Sequence, residues 1–228
     1  MRRAGLGFAL VALAVGAAAC GATSGGGPNA SKLLGLAKTT LDATPSVHFS
    51  ITSKGASGGT GITGGQGSLV RPAGITGTFD LNYGGLPLTI QVEAEGARFY
   101  AKLPFSSKFK AADPAKYDLG NPEQLFSTTH GLSGILAGAK GAKLDGTTRL
   151  SGELLDKVSG SVPGADIPVI PDLAPSKPVS LLVAIDPTSH QVRQVTLVGP
   201  FVSATASTTY VVTLTGYGQP VSVSLPSP

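Results

Sequence analysis

The sequence predicts an α+β fold in which one strongly curved antiparallel sheet carries a few helices on one side. Three observations lead there. After Pro45 the chain falls mostly into short period-two runs, separated by glycine or proline and too closely spaced for βαβ crossovers. Few segments keep a helical period. The composition agrees, since 32 glycines, plentiful Ser, Thr and Val, and only 13% charged residues mark a sheet-rich chain.

The chain opens with the three parts of a secretion signal. Arg2 and Arg3 are positive, Ala4 to Ala19 is apolar or small throughout, and Ala17-Ala18-Ala19-Cys20 ends at the sole cysteine. A cysteine there reads as a lipobox, whose thiol receives a diacylglyceryl group before cleavage; alanine replaces the leucine usual three positions earlier. Residues 1–19 are read as signal peptide, 20–30 as lipidated cysteine and flexible tether, and 31–228 as one domain. The lipid on Cys20 is expected to hold the protein on the outer face of the cytoplasmic membrane, each buried CH₂ contributing about 0.8 kcal/mol. The apolar start is short for a transmembrane span, and no later stretch is long enough.

Helical period marks Ser31 to Ala43, with Leu33, Leu34, Leu36, Ala37 and Leu41 as its stripe and Pro45 as its stop. His48 to Thr52 is the first strand, followed by a glycine-rich stretch from Gly55 to Gly67. Strands are then expected at Gly67 to Val70, Ile75 to Leu81, Pro87 to Glu95 and Arg98 to Leu103. Asn121 to Ala139 reads as a broken helix with Leu125, Phe126, Leu132, Ile135 and Leu136 on one face. A strand at Ala142 to Ser151 precedes a short helix at Leu154 to Val162 and a proline-rich crossing at Pro163 to Pro178. Val179 to Asp186, Gln191 to Val198 and Thr209 to Thr215 complete the sheet, with Val221 to Leu225 as an edge strand.

Patterns that imitate catalytic motifs lack the context those motifs need. Gly55-Ala56-Ser57-Gly58-Gly59 has nucleophile-elbow spacing, but no helix follows to present Ser57. Gly59 to Gly64 matches a dinucleotide fingerprint with the same defect. His48, His130 and His190 have no metal-type spacing, and Glu93 and Glu95 read as the wet face of a strand. One cysteine excludes disulfides and thiolate metal sites. The charge of +4 includes Arg2 and Arg3, and the lysines are scattered, which argues against nucleic acid as a partner. No enzyme activity and no cofactor are expected.

What remains is apolar surface. Leu86, Leu88, Ile90, Val92, Ala94, Phe99 and Ala101, with Leu132, Ile135 and Leu136, either line a space between sheet and helices or fill a closed core.

Short ordered segments bear on that choice. Phe99-Tyr100-Ala101-Lys102-Leu103, Asp113 to Asp118, Gly131 to Leu136, Leu144 to Thr148, Leu150-Ser151-Gly152, Tyr210 to Leu214 and Pro220 to Val223 follow one another over most of the mature chain. In these segments and in Cys20 the chain resembles the mycobacterial LppX/LprA/LprF/LprG lipoprotein family. The resemblance implies a half-barrel with helices on its concave face. It also implies an apolar cavity for the acyl chains of diacylated or triacylated lipids or lipoglycans, carried from the cytoplasmic membrane toward the outer envelope. The chain departs from the family in having no tryptophan near Lys108-Phe109 or in Leu182 to Asp186, and in its long glycine-rich stretch. A monomeric lipid carrier is the expected function. The alternative is a closed-core structural or interaction lipoprotein that partners a membrane transporter.

Overall fold

Strand alternation and one helical stripe account for most of the architecture. A computed structural model describes residues 28–55, 61–117, 128, 131–167, 177–203 and 205–226. Helix α1 spans Pro28–Ala43, beginning on a proline whose missing N–H costs nothing in a first turn. Ala30, Leu34, Ala37 and Leu41 recur at helical spacing and are buried, and Pro45 prevents continuation.

Eleven strands form one antiparallel sheet. They are β1 (Ser46–Lys54), β2 (Gly61–Val70), β3 (Gly74–Tyr83), β4 (Leu86–Glu95), β5 (Arg98–Lys102), β6 (Lys110–Ala111), β7 (Lys140–Leu150), β8 (Glu153–Pro163), β9 (Pro178–Ile185), β10 (Val192–Ser203) and β11 (Ala206–Thr215). The order β6-β5-β4-β3-β2-β1-β11-β10-β9-β8-β7 is two meanders joined where the first strand pairs with the last. The sheet does not close, leaving β6 and β7 as its edges. Between the meanders, α2 (Leu132–Gly138) packs against α1. A contiguous core includes Ala101 of β5, Val158 of β8 and both helices, which requires the sheet to wrap around the helix pair.

The inner face is built in cross-strand rows. Phe49 of β1 faces Leu214 of β11 and Gly67 of β2, and Gly67 faces Gly77 of β3. A Cβ on Gly67 would sit 2.2 Å from the Thr76 carbonyl oxygen and 2.8 Å from the Gly77 Cα. The glycine stretch is thus partly strand, and its bare backbone leaves room for the Phe49 and Phe79 rings, whose centroids are 5.7 Å apart.

Two expectations are corrected. Leu154 to Val162 is strand β8, not a helix. Buried Leu155, Val158 and Val162 imitate a helical stripe, yet unbroken pairing with β9 puts Leu155 on the opposite face from the other two. Val221 to Leu225 is not a strand. It belongs to a terminal segment whose Gly218 N–H donates to the Ser46 carbonyl at 2.9 Å and whose Val223 lies against Gly74. The part of the broken helix before Gly131 lies, except for Thr128, outside the described residues, and α2 is its described remainder.

One carboxylate ties three elements together. Asp42 near the end of α1 takes Lys38 from its own helix, the Arg71 guanidinium from the β2–β3 hairpin at 3.3 Å, and a hydrogen bond from Ser133 of α2. Burial pushes its carboxyl up, but the Lys38 and Ser133 hydrogen bonds and the Lys38 and Arg71 charges outweigh that and hold it below its ordinary value of 3.8. A depressed native value stabilises the fold above the unfolded value of 3.8 and ceases to do so as pH falls through the lower native one. Asp42→Asn is therefore expected to lower Tm at pH 7, with the gap from wild type narrowing below pH 3.8; parallel Tm curves would contradict this. Gly67→Ala is expected to cost about 1–3 kcal/mol by overpacking, read as a lower urea midpoint at unchanged slope.

Candidate functional site

Rows of inner-face side chains leave two adjoining apolar spaces beneath α2. One has a volume of about 90 Å³, the other about 60 Å³. Both are walled by Leu69, Leu197, Val212 and Leu214 from the sheet and by Leu132 and Ile135 from α2. The larger extends to Phe49, Phe79 and Tyr210, the smaller to Leu41, Leu136 and Val192. Their position follows from topology. The β1–β11 pairing brings the chain's first and last strands to the centre, and α2 lies over them.

The walls carry no free polar group among the described residues. The Tyr210 hydroxyl donates to the Ile62 carbonyl at 2.7 Å, and burial pushes its pKa up to about 12, so it is a satisfied neutral donor. What such a lining can offer a ligand is burial of apolar surface. At the polar end, a smaller opening is bounded by Leu41, Leu69, Leu132, Arg71 and Ser133, beside the Asp42 cluster. Each apolar space is smaller than the cavity of about 150 Å³ that admits a benzene ring. Asp42, beside these spaces, links the helix pair to the β2–β3 hairpin.

Of the residues that the sequence left between a cavity lining and a closed core, Leu132 and Ile135 border both apolar spaces and Leu136 the smaller one. Ile90, Val92, Ala94, Phe99 and Ala101 are buried on the same face but do not line the described spaces. They continue its rows outward, with Ile90 opposite Phe79, Val92 opposite Gly77 and Ala101, and Ala94 opposite Ile75 and Phe99. Leu88 is half-buried against the core, while Leu86, opposite Tyr83 at the turn, is 72% exposed. The central wall from β1, β2, β10 and β11 was missed. Its signal was period-two alternation in His48 to Thr52 and Thr209 to Thr215, but only the pairing of the two ends makes them neighbours.

The other groups weighed from sequence lie elsewhere. His48 is on the outer face, sharing hydrogen bonds with Ser68 at 2.6 Å and Gln219 at 3.2 Å. His190 sits in the β9–β10 turn, where its N–H donates to the Asp186 carbonyl at 3.0 Å. Glu93 accepts from Thr76 at 2.6 Å, and Glu95 pairs with Arg98. Cys20, Ser57 and His130 lie outside the described residues. Among the described residues no group of three or more His, Cys, Asp or Glu is placed to hold a metal, and no helix is long and apolar enough to cross a membrane.

Known proteins share this fold. LprF from Mycobacterium bovis superposes with a TM-score of 0.73 at 16% identity, covering 90% of this chain and 100% of that one. The lipoprotein LppX from Mycobacterium tuberculosis gives 0.62 at 17%, covering 86% and 99%. In sequence, the lipoarabinomannan carrier protein LprG from Mycobacterium tuberculosis is 26% identical over 222 residues, 95% of this chain and 91% of that protein. The model of the LppX_LprAFG lipoprotein family matches residues 29–223. The chain belongs to the LppX_LprAFG lipoprotein family.

Proposed function

We propose that this protein is a membrane-tethered carrier that takes acyl chains of a lipid or lipoglycan into the space between its sheet and α1–α2. The observation that carries the reading is the wholly apolar lining under a helix pair held by few polar ties. Family membership, and a relative named as a lipoarabinomannan carrier, support the same class of cargo. Acyl chains fill the space while the headgroup stays outside. Burial contributes about 25 cal/mol per Å² of apolar area, and withdrawal of the lipid from its bilayer offsets most of that. Near-balance is what a carrier needs, because cargo has to leave as well as enter. In this reading residues 1–19 direct export and lipid on Cys20 tethers the domain outside the cytoplasmic membrane. The carrier then acts as a monomer and moves cargo toward the outer envelope.

The small volume of the two spaces favours a second reading, a closed-core lipoprotein that binds a membrane transporter. Val212, which borders both spaces, separates the two. Val212→Trp is expected to keep Tm within a few degrees of wild type and to lower uptake of a fluorescent diacyl phospholipid at least tenfold. Undiminished uptake by the folded variant would remove this space as the binding site. Absence of uptake by the wild type would favour the closed-core reading.

A further inference from the structure

Four of the six large apolar side chains exposed among the described residues gather at one end of the sheet. Tyr83 and Leu86 flank the β3–β4 turn at 55% and 72% exposure, and Leu103 and Phe105 occupy the β5–β6 loop at 41% and 109%. The pairing sets this placement. Strand β5 runs back along β4 until Lys102 faces Gln91, so the loop that follows heads toward the end where β3 turns into β4.

Phe105 is held out by its backbone. The Ser106 N–H donates to the Leu103 carbonyl at 3.1 Å, closing a turn with Pro104 and Phe105 at its centre. Phe105 has φ of +66°. Proline followed by a left-handed residue is the signature of a type II turn, whose second central position favours glycine. A phenylalanine there is strained and gains nothing from burial, so stability does not explain it. Ser106 braces the loop by donating to the Lys108 carbonyl at 2.7 Å.

The loop is positively charged. Lys102, Lys108 and Lys110 lie in or beside it, and no acidic residue occurs between 102 and 110. None of the three makes an ion pair with a described residue. Lysines beside a free sheet edge are ordinary protection against edge pairing, but that role needs no exposed aromatic ring at their centre. Apolar tips ringed by cations match an anionic bilayer, where rings enter the headgroup region and lysines face the lipid charge.

We infer that the β5–β6 loop and the β3–β4 turn form a docking rim for an anionic lipid surface, with Phe105 as its inserting tip. The rim uses residues outside the apolar spaces, so it stands or falls independently of what those spaces hold. The chain has no tryptophan, so a single introduced one reports its own surroundings. Phe105→Trp at the tip is compared with Leu154→Trp, which replaces a 51% exposed residue near the β7–β8 turn at the opposite end of the sheet. The lipidated full-length protein is reconstituted in phosphatidylcholine vesicles, with and without phosphatidylglycerol, containing brominated chains. The inference expects a blue-shifted, quenched Phe105→Trp on the anionic vesicles, with Leu154→Trp unquenched. Replacing Lys102, Lys108 and Lys110 together by Glu should return the Phe105→Trp signal to the Leu154→Trp level. Phe105→Gly should leave Tm unchanged or higher. An unquenched Phe105→Trp, equal quenching at both sites, or quenching indifferent to phosphatidylglycerol and to the lysines would overturn the inference. Uptake of micelle-delivered phospholipid by the triple-lysine variant, expected at the wild-type level, keeps this outcome distinct from failure of the carrier reading.

Discussion

Eleven strands share one apolar face, and two helices are the described cover for it. Strands lie about 4.8 Å apart, so laid flat the sheet would span roughly 50 Å, while a helix covers only about 10–12 Å. The mismatch is met by curvature, which brings both meanders toward the same helix pair. Among the described residues, this cover leaves the pair of apolar spaces beneath α2. Curvature in turn depends on backbone allowed to come close, and the facing Gly67 and Gly77 supply it where the two large rings must fit. The space at the site is thus a consequence of how the sheet is covered.

Polar chemistry is kept to the margins of that space. Buried Tyr210 spends its hydroxyl on a backbone carbonyl, and Tyr217 does the same with the Val192 carbonyl at 2.6 Å. Charges gather at Asp42, where helix, hairpin and α2 meet. A carboxylate with two cations and a hydroxyl donor is satisfied where it stands, yet it holds the helix pair through side chains alone. None of the carboxylate's contacts is part of a strand pairing.

Much of the fold was legible because strands announce themselves by alternation. Ile90, Val92 and Ala94 alternate along Pro87 to Glu95, and all three are buried on one face. Strand β8 misled because Leu155, Val158 and Val162 fall at spacings common to a helix and to a strand with apolar residues on both faces. Most of the site was less legible for a different reason. Ile135 and Leu136 lie on a helix whose inward face shows in the sequence, but Val212 and Leu214 become wall residues only through pairing with Ile51 and Phe49 at the far end of the chain. No local pattern encodes that pairing. The strained turn at Phe105 was equally hidden, since Leu-Pro-Phe-Ser carries no sign of which residue turns left-handed.

The central claim is that the space between sheet and helices takes acyl chains. Native mass spectrometry of the chain from Pro28 onward, which contains every described strand and both helices, tests it most directly. Purified from an actinobacterial host that makes acylated glycolipids, the protein should carry stoichiometric lipid that is released on denaturation and replaced by added lipid. A clean apo mass that stays unchanged with added diacyl and triacyl lipids would contradict the account.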